Sequence, residues 1–206
     1  MILVPEIKTV IILVPRTGTG SLRRAIAARY PKSILLYRHM EADGVPQGYD
    51  RWQKLGFVRH PTERLWSLYK FLRDFDGDHD PAYIRAMRAS VTMPFSEWIV
   101  NNCVPFTTPY DLSGNGRFFP EYTVRHALPE NRKSQFMYLR PDLGTRIYNY
   151  ASLQRVCNNV LDVRLTQHNV TAPDRSPPLA EAAAEHMLRW FDWDFKVSAI
   201  PEAAPL

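Results

Sequence analysis

Ile7-Lys8-Thr9-Val10-Ile11-Ile12-Leu13-Val14-Pro15-Arg16-Thr17-Gly18-Thr19-Gly20-Ser21 is the stretch on which the fold turns. Ile7–Val14 places apolar residues on both faces, the pattern of a strand buried inside a parallel sheet. Pro15 stops that strand, and the glycine-rich loop after it leads into Ser21–Tyr30. There Leu22, Ala25 and Ile26 share one helical face, and Pro31 marks the end. Strand, loop and helix in this order aim free backbone N–H groups and a helix N-terminus at an anion. Gly18 and Gly20 let the backbone come close, while Thr17, Thr19 and Ser21 carry hydroxyl donors. Arg16 adds a permanent charge able to engage two oxygens at once. The same residues read equally well as a strand-to-helix turn that uses glycine for geometry and leaves Arg16 in solvent. A nucleotide triphosphatase loop is a poor match, because that pattern needs Lys directly before the Ser, where this chain has Gly20.

Outward from this stretch, the pattern predicts strands at Ser33–Tyr37, Lys54–Val58 and Gln135–Leu139. It predicts helices at Thr62–Phe75, Pro81–Ala89, Phe95–Asn102, Leu143–Leu161 (broken near Ala151) and Leu179–Trp190. Glu41–Tyr49, Cys103–Lys133 and Arg164–Pro178 read as loops, and the second of these is long and aromatic enough to suggest binding. Strands alternating with helices imply an α/β fold with a mostly parallel central sheet flanked by helices in three layers. At 206 residues, one domain spanning 1–206 accounts for the chain.

Composition narrows the function classes. The net charge of +5 favours an anionic partner. The basic residues are scattered, with only Arg23-Arg24 and Arg132-Lys133 adjacent, unlike the clustered stripe of a nucleic-acid binder. The longest apolar run, Val10–Val14, is too short to span a bilayer. The N-terminus, with Glu6 and Lys8 inside its apolar stretch, does not read as a signal peptide. A cytoplasmic protein with neither nucleic-acid nor membrane partners is therefore expected. Its two cysteines, Cys103 and Cys157, read as free thiols or a single bridge rather than a disulfide framework or metal site.

A second constellation sharpens the first. Phe57-Val58-Arg59-His60-Pro61-Thr62-Glu63-Arg64-Leu65-Trp66-Ser67-Leu68-Tyr69 sets Arg59 at the carboxyl end of a strand, where open α/β sheets hold ligands. Pro61 forces a tight entry into the next helix, whose Ser67 hydroxyl can turn back toward the Arg59 guanidinium. A cation and a hydroxyl converging on one point make a phosphate site.

Together, Pro15–Ser21 and Val58–Tyr69 resemble the two donor-binding motifs of the sulfotransferase family, most closely its carbohydrate-type members such as the heparan sulfate sulfotransferases. Phe136–Leu143 resembles the family's strand ending in Asp-Leu, and Phe191-Asp192-Trp193-Asp194-Phe195 its closing Tyr-x-x-Asp-Phe. The resemblance runs nearly the whole length, in the family's order. It implies a sulfotransferase / P-loop NTPase-like fold. It also implies 3′-phosphoadenosine 5′-phosphosulfate as donor, adenosine 3′,5′-bisphosphate as product, and no metal. Arg16, Thr17, Gly18, Thr19, Gly20 and Ser21 would take the 5′-phosphosulfate, and Arg59 and Ser67 the 3′-phosphate. The chain departs from the cytosolic members in having no aromatic at Ser21 and no late Arg-Lys-Gly motif, which leaves the adenine without an assigned partner.

The reaction so implied moves a sulfuryl group to a hydroxyl or amine of a small-molecule or glycan acceptor, and it needs a base. His39 closes the second expected strand and should open onto the same sheet edge as Arg16 and Arg59. An imidazole with a pKa near about 6.5 suits that role, with Glu41 as the next candidate. His126 and His168 lie in loops, and Tyr110–Arg125 offers an aromatic, basic wall for an acceptor. Two other readings predict different behaviour. A kinase-like enzyme would bind ATP with magnesium, and an inactive nucleotide-binding module would bind without transfer.

Overall fold

The computed structural model describes residues 1–36, 39–74, 91–101, 132–166 and 175–200. It contains a mixed, open five-stranded sheet of order β3-β1-β2-β4-β5 with helices packed on it, an α/β arrangement. The strands are β1 Ile2–Val4, β2 Thr9–Ile12, β3 Ile34–Leu35, β4 Gln53–Val58 and β5 Thr145–Asn149. The helices are α1 Thr19–Arg29, α2 Pro61–Asp74, α3 Phe95–Val100, α4 Gln135–Leu139, α5 Leu153–Asn159 and α6 Glu181–Ser198.

β2 is central, and its residues are divided between the two faces. Val10 and Ile12, with Val14 just beyond, join Leu3, Val58, Tyr138, Leu139, Ile147 and Val197 on the face covered by α4 and the end of α6. Ile11 and Leu13 join Leu22, Ile26, Leu55, Phe57, Leu153 and Val156 under α1 and α5. Burying each such side chain is worth roughly 1.5–3 kcal/mol, so a run apolar on both faces is most stable in the middle of a covered sheet. A third cluster, including Leu65, Leu68, Leu72, Trp98, Ile99, Met187 and Phe191, ties α2, α3 and α6 together. Gly56 shows how closely α4 sits on β4, since a Cβ there would run into the Leu139 side chain.

β2, β4 and β5 pair in parallel. β1 runs antiparallel to both β2 and β3, which leaves β3 pointing the same way as β2. The carboxyl ends of β2, β3, β4 and β5 therefore share one edge, and β1 is the reversed strand among them. Sequence pattern does not anticipate β1, which is only three residues long and is followed at once by the 3-10 turn Pro5–Ile7. That turn trims the expected Ile7–Val14 strand to Thr9–Ile12.

The middle of the chain corrects two expectations. Gln135–Leu139 is helix, not strand: the Ser134 hydroxyl accepts from the Phe136 N–H at its start, and Arg140 ends it in a left-handed conformation. The fourth parallel position is filled instead by Thr145–Asn149, inside the segment expected to be helical from Leu143 to Leu161. Gly144, at φ 78°, prevents a helix from running through, and only Leu153–Asn159 of that segment is α-helical. The closing helix extends from Glu181 to Ser198, with an irregular residue at Phe191 (φ −126°, ψ 21°). Pro81–Ala89 and nearly all of Cys103–Lys133 lie outside the described residues. Among those described, no helix is long and apolar enough to cross a membrane.

Candidate functional site

β2 delivers the chain to Pro15 with Leu13 and Val14 fully buried, so the loop starts from a fixed point. The Thr17 hydroxyl donates to the Val14 carbonyl (2.9 Å) and locks the turn. That hydroxyl proton is thereby committed, and what Thr17 offers a ligand is its backbone N–H. Arg16 and Gly18 both adopt positive φ, 68° and 77°. Gly18 is required twice over: its φ suits glycine, and a Cβ there would stand 2.7 Å from Leu153 Cδ2. Arg16 has no such exemption, and a non-glycine residue held there costs on the order of 1–3 kcal/mol.

Gly18 is the N-cap of α1 and supplies no side-chain cap, and the first turn contains no acidic residue. The first helical hydrogen bond runs from the Leu22 N–H to the Gly18 carbonyl (3.1 Å). The amides of Thr19 and Gly20 precede it and face off the end of the helix, where the dipole is positive.

The expected donor-site residues converge. Arg16 Nε donates to Ser67 Oγ at 3.1 Å, and the Arg16 guanidinium lies over the Phe71 ring at 4.7 Å. Arg59 Nη1 donates to the Arg16 carbonyl at 3.3 Å, and its guanidinium lies over the Tyr150 ring at 5.0 Å. Loop, β4 end and α2 thus meet around Arg16. The detail differs from expectation: Ser67 holds Arg16, and it is Arg16 that Arg59 grips. Burial, with the neighbouring Arg59 charge as a second cause, pulls the Arg16 pKa down to about 10. Arg59 has a distant carboxylate, Glu63 Oε2 at 3.9 Å, and the other Glu63 oxygen accepts from the Ser176 hydroxyl at 2.9 Å. No carboxylate pairs with Arg16 among the described residues.

His39 does not close β3, which ends at Leu35, but lies beside the chain just past the end of β2. Its Nδ1 lies 2.8 Å from the Leu13 carbonyl, and the residue is only 6% exposed. A carbonyl can only accept, so Nδ1 carries the proton and Nε2 is the basic nitrogen of the neutral ring. Glu41, the other candidate base, is in a different situation. Its carboxylate is buried and lies 2.5 Å from Lys133 Nζ, which also lies 4.4 Å from the Tyr138 ring centre. That is a structural ion pair. His60 packs its ring edge-on against Phe195 (5.2 Å), and partial burial lowers its pKa. His126, His168 and Tyr110–Arg125 lie outside the described residues.

Sequence reasoning missed the residues that hold Arg59 in place. Gln135 Oε1 accepts from the Arg59 N–H (2.9 Å), and Gln135 Nε2 donates to the Arg59 carbonyl (2.7 Å). Asp194, wholly buried, accepts from Gln135 in turn. No local signal links Gln135 to Arg59, which is 76 positions away in sequence. Among the described residues there is no group of three or more His, Cys, Asp or Glu side chains able to hold a metal. Compared with family models, with curated proteins and with solved structures, the chain matches none.

Proposed function

We propose that this protein is a sulfotransferase that uses 3′-phosphoadenosine 5′-phosphosulfate, with the Arg16–Arg59 cluster as its donor site. The observation that carries this is that the Arg59 guanidinium holds the Arg16 carbonyl beside the start of α1, with its charge close enough to help lower the Arg16 pKa. Like charges lie near each other there with no carboxylate on Arg16 among the described residues, an arrangement that a multiply charged anion would stabilise. The sequence resemblance adds the identity of that anion. In this reading β2, the loop and α1 form a P-loop-like cradle, and β1 is a reversed insertion in an otherwise co-directional, mostly parallel sheet.

The acceptor oxygen or nitrogen attacks the donor sulfur, and the bond between sulfur and the bridging oxygen breaks. The electron pair of that bond stays on the departing phosphate. Arg16 and the N–H groups of Thr19 and Gly20 neutralise the charge gathering there, which is the main demand of an in-line transfer. His39 Nε2 takes the acceptor proton while Nδ1 stays anchored on Leu13, so the ring gains charge without turning. Arg59 and Ser67 recognise the 3′-phosphate, with Ser67 acting partly through the orientation it gives Arg16. The acceptor is a small molecule or glycan bearing a hydroxyl or amine.

Thermal unfolding in the presence of a chelator tests the donor assignment. Adenosine 3′,5′-bisphosphate should raise the midpoint clearly, and ATP much less. Equal shifts, or a shift with ATP that requires magnesium, would favour a kinase-like enzyme instead. Labelled donor tested against a panel of glycans, phenols and peptides then identifies the acceptor. In that assay His39→Ala should lower turnover by about 10²–10⁴-fold with donor binding retained.

A further inference from the structure

β4 ends at Val58, so the peptide of Arg59 has left the sheet. A side chain replaces the missing strand partner. The Gln135 carboxamide meets the Arg59 peptide as a neighbouring backbone would, accepting its N–H at 2.9 Å and donating to its carbonyl at 2.7 Å. The second hydrogen on Nε2 goes to Asp194 Oδ2 at 3.1 Å. The Gln135 N–H is shared between Asp194 Oδ1 and Oδ2, each at 3.0 Å, and the Ser134 hydroxyl also donates to Oδ1. Only one orientation of the carboxamide works. A flipped amide would set NH₂ against the Arg59 N–H and an oxygen against the Asp194 carboxylate. Gln135 and Asp194 are both 0% exposed. Burying a carboxylate costs several kcal/mol unless its oxygens are satisfied, and here both oxygens point at the residues that hold Arg59.

We infer that Gln135, oriented by Asp194, is a positioning residue that fixes the Arg59 peptide at the exit of β4 and so aims the Arg59 guanidinium at the anion site. This rests on the donor-site reading only for the identity of the anion. The predicted consequence is that recognition of the 3′-phosphate depends on a side chain that touches no ligand.

Gln135→Met keeps the length of the side chain and removes both hydrogen bonds to Arg59. Calorimetric titration with adenosine 3′,5′-bisphosphate and with adenosine 5′-monophosphate, below the variant's unfolding transition, gives the preference for the 3′-phosphate. That preference should fall by about tenfold or more, with the affinity for the monophosphate held within about twofold. Hydrogen exchange at the Arg59 amide should accelerate in parallel. If both affinities drop together, Gln135 is a core residue only and the inference is overturned. An unchanged preference overturns it as well. If Gln135→Met does not fold, Asp194→Asn is measured on the same ratio and is expected to lower it in the same direction. Should the wild-type protein bind neither nucleotide, the donor reading fails and inorganic pyrophosphate becomes the probe. Equal weakening of pyrophosphate binding by Arg59→Ala and Gln135→Met then upholds the positioning role, and binding insensitive to either variant, or no binding, ends it.

Discussion

Lys133 and Arg16 are cations removed from bulk water in two different ways. Lys133 is 2% exposed and meets the Glu41 carboxylate at 2.5 Å with the Tyr138 ring nearby, so the protein itself neutralises it. Arg16 meets a hydroxyl, an aromatic ring and, through its own carbonyl, a second guanidinium. The first arrangement is complete and holds the fold together. The second leaves positive charge in a partly dry place, which the depression of the Arg16 pKa to about 10 records. Among the described residues no carboxylate balances that charge, as Glu41 balances Lys133.

The largest expected effect lies on the balanced side. Glu41→Gln leaves Lys133 buried without its counter-charge and should destabilise the protein by about 3–5 kcal/mol in urea unfolding. Next, Gly56→Ala pushes a methyl group into Leu139 and should cost about 1–3 kcal/mol, with the anion response intact. Arg16→Leu should behave in the opposite sense. Its stability should stay within about 1 kcal/mol of wild type or rise, because a partly buried cation with no carboxylate among the described residues is removed, while stabilisation by added sulfate disappears. If Arg16→Leu destabilises as much as Glu41→Gln, the contrast between the two sites is false.

pH gives a subtler check. A guanidinium with a lowered folded-state pKa penalises the fold while charged. That penalty applies below about 10 and fades as pH rises through about 10 toward the ordinary arginine range. A bound anion offsets the same penalty, so the gain in midpoint on adding sulfate should be greatest below pH about 10 and decline above it. The smallest effect concerns Cys157, buried and with its thiol pushed up to about 12. It should react with thiol reagents only as the protein unfolds, which mass spectrometry of labelled native protein can check.

Much of this edge was legible from residue order. The β2–loop–α1 unit and the step from Arg59 through Pro61 into α2 carry their own punctuation, in glycines, prolines and apolar periods of two kinds. Convergence of Arg16, Arg59 and Ser67 followed from the rule that parallel strands end together. The exact pairing did not, because it depends on the positive φ at Arg16, which nothing about an arginine announces. Gln135–Leu139 misled because a short apolar run fits a strand and a buried helical turn equally, and its Ser134 cap is one residue of evidence. Thr145–Asn149 misled in the other direction: Leu143, Ile147 and Ala151 recur at helical spacing across a glycine that breaks the helix. The clamp of Gln135 and Asp194 on Arg59 is tertiary throughout, and only the fold brings those residues together.

Titration of wild-type protein and Arg59→Ala with adenosine 3′,5′-bisphosphate, in chelator and at fixed ionic strength, decides whether the Arg16–Arg59 cluster is a donor site. Saturable metal-free binding to the wild type is expected, with a loss of about tenfold or more in Arg59→Ala and adenosine 5′-monophosphate binding far less affected. Equal affinity of both proteins for the bisphosphate, or no binding by the wild type, would contradict the donor-site assignment.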